Sequence, residues 1–369
     1  MKVLLLGEFS ALHKYLKEGL EEIGVDVRLL ANGDSWKKID GADGFLYRTG
    51  GNILQRSYRI GIEPLKRMDV FSGYDVVQFI NTICFYPTIN PYMVSEIKKR
   101  NHVLSLVAAG YDSRLYEKYM TGFFDYYMMD NADSILRSFD RKTLKGNIHQ
   151  WNDHKVEKYV DVIIPSAYEY RVGYAESGKA SIVVPFPINV KNIEYSENET
   201  KNRIVFFHGL NRETEKGTSY IRKALDKLKN NYPNDVEVII DGHMPFKRYQ
   251  EVLKKSNVVI DQCKSYGYGI NACISMAEGK IVLSGRHQEH LDSMGVDKCP
   301  IIEIKPDVEQ IYSQLLLILE NRTRIPQLGR ESREYVEKYH DHIKVANIYY
   351  HIWEELLKKK EVVKNDHAK

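Results

Sequence analysis

Short apolar runs alternate with amphipathic helical patterns along this whole chain, and a closely spaced proline pair splits the alternation into two similar halves. A short continuous apolar run suits a strand covered on both faces. Residues 2–7 are such a run, 11–23 read as a helix ending at Gly24, and 25–30 form a second run. Further strands are expected at 75–80, 103–107 and 160–164, with a helix at 91–100. Pro185-Phe186-Pro187 then ends regular structure, and the polar stretch Glu194 to Asn202 follows, which puts a linker near 186–201. The alternation restarts with strands at 203–207, 236–240, 258–261 and 281–284. Helices are expected at 217–230, 246–255, 270–278 and 307–321, and a long one over roughly 331–361. This order predicts an α/β chain of two doubly wound, Rossmann-like parallel-sheet domains. Ligands of such sheets bind beyond the carboxyl ends of the strands, so the strand-to-helix loops of both halves, facing a cleft, are the places to look.

The length of 369 residues suits two such domains. With 43% hydrophobic residues the chain can bury two cores, and a net charge of +3 gives no reason to expect a nucleic-acid binder. The run Met1–Gly7 is short for a signal peptide and is interrupted by Glu8, and no stretch reaches the length of a membrane span. Four scattered cysteines, Cys84, Cys263, Cys273 and Cys299, contain no C-x-x-C pair and fit a reducing compartment. A cytoplasmic protein is therefore expected. Lys358-Lys359-Lys360 near the end reads as a solvated tail, with weak attraction to the inner face of a membrane as the sharper option. The 26 tyrosines suit core packing or a sugar-binding surface.

Two loops carry chemistry. The first runs from His208 to Thr218 and contains Gly209, Asn211, Arg212, Lys216 and Gly217. It follows a strand and opens a helix, so its free N–H groups and the helix dipole favour an anion, with two cations beside them. That suits a diphosphate. The second runs from Asp261 to Ala272 and contains Tyr266, Gly267, Tyr268, Gly269, Ile270 and Asn271, followed by Met276-Ala277-Glu278-Gly279-Lys280. Its glycines allow close backbone approach to a ligand. It is neither a Walker loop nor a G-x-G-x-x-G fingerprint. Gly242, at the end of the 236–240 strand, is placed on the same side.

In this order, the two loops resemble the donor half of GT-B fold glycosyltransferases, most closely the retaining group 1, or family 4, enzymes. The residues that carry the resemblance are Gly209 with Lys216-Gly217, then Tyr268-Gly269 and Met276-Ala277-Glu278-Gly279-Lys280-Ile281-Val282. Ser332 to Asp341 resembles the start of the closing helix of that family, which usually crosses back onto the N-terminal domain. The specific similarity covers about residues 200–344. It departs at Leu210, where the family commonly has arginine, at Ala109, where it often has histidine, and at Tyr266 and Ile274, which stand where the two glutamates of an E-x7-E pattern fall. Glu278, one helical turn after Ile274, is the candidate substitute for the second.

The resemblance implies domains at 1–187 for the acceptor and 188–344 for a nucleotide-sugar donor, a helix over 345–361 returning to the first, and a frayed tail over 362–369. It implies a retaining, metal-independent glycosyltransferase of the hexosyltransferase class. A sugar would pass from a UDP- or GDP-linked donor to a glycan or lipid-linked acceptor in surface polysaccharide or glycoconjugate assembly. Lys216 and Arg212 would offset charge on the departing diphosphate; no cofactor beyond the donor is implied. On the acceptor side the candidates are Gly7, Glu8, Phe9, Asn81, Gly110 and Asp112, with the polar loop 47–52 beside them. The aromatic run from Tyr116 to Met129 reads as a buried helix or a hold on a lipid-linked acceptor, and His287-Gln288-Glu289-His290 as surface rather than a metal clip. Two other readings stand beside the enzyme: a sugar-nucleotide epimerase, which Ile274 and Ala109 do not favour, and a non-catalytic GT-B partner subunit, which the missing glutamates do.

Overall fold

The computed structural model describes residues 1–369 except 33, 35–38, 49–50, 201, 211, 243, 245 and 368–369, and only the backbone of 246–247 and 364–367. The chain divides into two compact units. Unit 1 comprises Met1–Thr121, Leu136–Pro187 and His342–Lys369; unit 2 comprises Gly122–Ile135 and Ile188–Asp341.

Unit 1 is built from β1 (Lys2–Leu6), α1 (Leu12–Glu22), β2 (Asp26–Leu30), α2 (Ile53–Gly61), α3 (Glu63–Lys66), β3 (Val76–Phe79), α4 (Asn90–Arg100), β4 (Val103–Ala108), α5 (Ser113–Met120), α6 (Asp133–Phe139), α7 (Leu144–Tyr159), β5 (Val162–Pro165) and α8 (Tyr168–Gly173), where α6 begins in the part belonging to unit 2. Its sheet is parallel, in the order β2-β1-β3-β4-β5. β3, β4 and β5 are buried along their whole length, so their sequences are apolar without alternation except at Gln78 and Ser105, which satisfy each other where the Ser105 hydroxyl donates to Gln78 Oε1, 2.9 Å.

Unit 2 repeats the plan with β6 (Ile204–Leu210), α9 (Glu213–Lys216), α10 (Thr218–Asn231), β7 (Val236–Gly242), α11 (Phe246–Lys255), β8 (Val258–Ile260), α12 (Ile270–Ala277), β9 (Ile281–Ser284), α13 (Gln288–Met294), β10 (Ile302–Glu303), α14 (Val308–Glu320) and α15 (Ile325–Tyr339). Its order, β10-β9-β8-β6-β7, is the same one counted from the first strand of the unit, and every pairing is again parallel. Ile204, Phe206, Val258 and Ile281 on the strands and Ile221, Leu225, Leu228, Ile311 and Leu315 on α10 and α14 form its core on one face.

Three sequence expectations change. The long helix over 331–361 is two helices, α15 and α16 (His342–His367), broken at His340-Asp341. At the break the Ile188 amide donates to the His340 carbonyl, 2.7 Å, so the chain is held by a backbone bridge where the helix would otherwise continue. Second, Gly122–Ile135 belongs to unit 2 rather than to the N-terminal domain. The aromatic run is thus divided: Tyr116 stacks on Phe139 in unit 1, while Phe124 and Tyr126 pack against Tyr266 in unit 2. Third, His287 and His290 are buried rather than surface residues.

α16 lies in unit 1 and packs on α1. The approach is so close that a Cβ at Gly19 would stand 2.2 Å from the His342 carbonyl oxygen. Gly19→Ala must therefore separate the two helices, and chemical unfolding should show a loss of about 1–3 kcal/mol; an unchanged midpoint would contradict the close packing.

Candidate functional site

Both sheets have a switch point, between β1 and β3 in unit 1 and between β6 and β8 in unit 2, where connections leave to opposite sides and open a crevice at the strand carboxyl ends. Some of the candidate residues lie at these two places.

In unit 2, β6 ends with His208-Gly209-Leu210 and β8 is followed by Asp261. Lys216 Nζ reaches Asp261 Oδ1 at 2.9 Å, and both side chains are more than nine-tenths buried. Asp261 is the functional candidate missed in the sequence: the residue is visible as the end of an apolar run, but nothing local says that a lysine 45 positions earlier folds onto it. The loops are stitched by backbone as well. The Cys263 amide donates to the Lys216 carbonyl, 3.0 Å. Gly217 has φ 73°, and a Cβ there would stand 2.4 Å from Cys263 Sγ, so both backbone and space demand glycine. His208 bonds the Ile260 carbonyl and the Thr218 hydroxyl, each at 2.8 Å, and burial pulls its pKa down to about 4. It is a neutral brace between β6, β8 and the start of α10.

Two helix N-termini open at this switch point. α10 starts after Gly217 and α12 after Gly269, and neither has a side-chain cap. Gly269 lies against Asp261, whose Oδ2 would be 3.8 Å from a Cβ there. A carboxylate thus stands beside the α12 N-terminus, where the helix dipole favours negative charge. Ile270 is buried and Asn271 exposed in the first turn of α12. Arg212 is exposed and holds a left-handed backbone, φ 53°, an unusual conformation for a residue with a side chain. Gly209 and Gly242 lie at the ends of the paired strands β6 and β7. Asn211 lies outside the described residues.

Other candidates are placed elsewhere. Glu278 is the C-cap of α12, at the opposite end of that helix from Gly269 and about 13 Å along it. Burial raises its pKa, with Lys280 and Lys254 opposing. Tyr268 points into the core, its hydroxyl 2.6 Å from that of Tyr335 and 3.0 Å from His340 Nε2. Tyr266 is buried with its ring 4.0 Å from that of His287 and its hydroxyl accepting from the Asp125 amide, 3.2 Å. Lys264 Nζ donates to the Asp130 carbonyl, 2.7 Å, so residues 122–135 cover this part of the glycine-rich loop. A Cβ on Gly267 would meet the His290 ring at 2.7 Å.

The closely matching Met276–Lys280 segment is a packing device. Met276 and Ala277 are fully buried, Gly279 takes φ 83° against Tyr195 to end the helix, and Lys280 donates to the Lys254 carbonyl, 3.1 Å. Arg333 Nη1 bonds the Ala277 carbonyl, 2.8 Å, satisfying an α12 terminal carbonyl.

In unit 1, Gly7, Phe9, Asn81 and Gly110 come together. A Cβ on Gly110 would be 3.1 Å from the Phe9 ring and 3.6 Å from Asn81 Nδ2; one on Gly7 would be 2.4 Å from Ile80. Asn81 Nδ2 donates to the Ala109 carbonyl, 2.6 Å, and its Oδ1 accepts from the Ile83 amide, 3.0 Å. Asp112 is buried, caps α5 through the Leu115 amide, 2.8 Å, and accepts from the Tyr174 hydroxyl, 2.9 Å. Its carboxylate therefore serves the fold. Glu8 is also buried; it accepts from the Lys14 amide, 2.8 Å, while its Oε1 has no hydrogen-bond partner. Among the described residues no group of three or more His, Cys, Asp and Glu is placed to hold a metal ion.

No family model matches the sequence, nor does any curated protein. Solved structures do match. Sucrose-phosphate synthase from Thermosynechococcus elongatus aligns with TM-score 0.65 at 12% identity, over 97% of this chain and 100% of that one. Anabaena HepE in complex with UDP and glucose aligns with TM-score 0.61 at 10% identity, over 95% and 99%. The chain has the GT-B fold. UDP-GlcNAc 2-epimerase from Neisseria meningitidis, bound to UDP-GlcNAc, shares it with TM-score 0.56 at 12% identity, over 97% and 100%.

Lys216→Ala strands the Asp261 carboxylate and should cost about 3–5 kcal/mol in denaturant unfolding, whereas Lys216→Met with Asp261→Leu should recover most of that loss; simple additivity of the single losses would contradict the pairing. Burial raises Glu8 to a pKa of about 7, from 4.5. A carboxyl whose folded pKa is raised is most favourable below its unfolded pKa, and that stability is lost as pH rises through the folded value. Glu8→Gln should therefore match wild type near pH 4 and exceed it by up to about 3 kcal/mol above pH 7. A difference independent of pH would contradict a buried, titrating Glu8.

Proposed function

We propose that the chain is a retaining, metal-independent glycosyltransferase that takes a sugar from a UDP- or GDP-linked donor. The observation that carries this reading is the Lys216–Asp261 pair, buried between the uncapped N-termini of α10 and α12 at the switch point of unit 2. HepE occurs in complex with UDP-glucose and the epimerase with UDP-GlcNAc, which favours a nucleoside diphosphate sugar as the ligand class. The diphosphate would lie on the first N–H groups of α12, near Gly269, Ile270 and Asn271, with Arg212 and Lys216 supplying positive charge. Asp261 holds Lys216 in place, and the incoming diphosphate takes over that pairing.

Transfer then needs charge stabilisation more than proton chemistry. As the bond from the anomeric carbon to the diphosphate oxygen breaks, negative charge grows on that oxygen beside Lys216. The acceptor hydroxyl adds to the anomeric carbon on the same face, and its proton passes to the departing phosphate oxygen. A glycan or lipid-linked acceptor would use the carboxyl-end residues of unit 1, around Glu8, Phe9, Asn81 and Gly110. Surface polysaccharide or glycoconjugate assembly at the cytoplasmic side is the process this chemistry suits.

A second reading, a non-catalytic GT-B partner, is favoured by Ile274 and by Tyr266, whose ring is buried among Tyr126 and His287. Nucleotide release from a panel of UDP- and GDP-sugars, with acceptor glycans or lipids supplied, separates the two. The enzyme should turn over at least one donor, and the charge-free variant Lys216→Met/Asp261→Leu should lose about 10²–10³-fold in kcat with a much smaller change in donor affinity. No turnover by wild type, or an undiminished kcat in the variant, would overturn the assignment.

A further inference from the structure

α2 is a helix with no fully buried residue; only Arg59, Ile60 and Gly61 at its end are half-buried. Ile53 and Leu54 at its start are 83% and 81% exposed. Tyr58, the following Ile62 and the preceding Phe45 are exposed too. The helix is nevertheless firmly started. Asn52 accepts from the Gln55 amide, 2.9 Å, and Gln55 Oε1 accepts from the Asn52 amide, 3.3 Å, a reciprocal capping box. A nine-residue helix gains little from propensity and normally depends on burying one face. Here that face is apolar and open to water.

The charge around it is one-sided. Residues 45–67 contain Arg48, Arg56, Arg59, Lys66 and Arg67 and one carboxylate, Glu63, although the whole chain carries only +3. Glu63 is paired with Arg48 at 3.4 Å, and Lys66 lies over the Tyr58 ring, 5.4 Å from its centre. Arg56 and Lys66 are exposed. Two copies meeting through this patch would bring the cations together, whereas an anionic surface neutralises them. Exposed aliphatics, an aromatic ring and flanking cations on one short helix are the features of an element that lies in the interface of a bilayer.

We infer that α2 and its flanks form a docking surface for an anionic lipid bilayer, with Ile53, Leu54 and Tyr58 entering the headgroup boundary and Arg56 and Lys66 facing lipid phosphates. This surface is independent of the reaction proposed above. No helix among the described residues is long and apolar enough to cross a membrane, so the attachment is peripheral and reversible.

The test is vesicle flotation with the full-length protein. Vesicles containing phosphatidylglycerol should carry the protein, neutral phosphatidylcholine vesicles should carry much less, and added salt should release it. Ile53→Asp/Leu54→Asp should reduce binding roughly tenfold or more with unchanged thermal unfolding, since both positions are exposed. Arg56→Gln/Lys66→Gln, which leaves the apolar residues alone, should weaken binding to anionic vesicles and reduce its salt dependence. Absence of binding to anionic vesicles, or equal binding by the Asp variant, overturns the inference. So does a wild-type dimer in light scattering that becomes a monomer in the Asp variant while neither binds vesicles, which would make a second copy the occupant.

Discussion

A lysine and an aspartate 2.9 Å apart, both withdrawn from water, fix the architecture at the second switch point. Burying either charge alone costs several kcal/mol, so each requires the other and the loops that carry them cannot move independently. The Cys263–Lys216 backbone bond, the glycine at 217 and the neutral His208 brace follow from this closeness. Together they align the N-termini of α10 and α12 on one small region. An anion placed there would meet oriented N–H groups and a lysine already desolvated, as the proposed reaction requires.

The two units share a strand order but not a condition at their strand ends. In unit 1 the polar groups are turned inward: Asp112 caps a helix and holds Tyr174, and Asn81 ties the β3 and β4 loops. Glu8 keeps one buried carboxylate oxygen, Oε1, without a hydrogen-bond partner. In unit 2 α10 and α12 start without side-chain caps, and of the two cations on the first loop Arg212 is exposed while Lys216 is buried. The first arrangement suits shape and hydrogen-bond recognition; the second suits a charged ligand.

Much of the fold was legible because buried parallel strands must be apolar along their length, and the runs at 2–7, 103–107 and 281–284 became β1, β4 and β9. The edge strand β10, only Ile302–Glu303, is too short to leave a period. The site was legible as far as glycines at strand ends go. Direction was not. Tyr268 beside two glycines reads as a ligand contact until its hydroxyl is found on Tyr335, and the aromatic run at 116–129 reads alike whichever unit it joins. The pairing partner of Lys216 was hidden for the same reason: long-range contacts leave no local spacing.

The proposed mechanism requires a nucleoside diphosphate on the N-termini at the switch point of unit 2. Amide hydrogen exchange measured with and without saturating UDP or GDP tests it directly. Binding there should slow exchange in peptides spanning 209–220 and 266–273 and leave β7 and α14 little changed. Protection elsewhere, with these two segments exchanging as in the free protein, would contradict it.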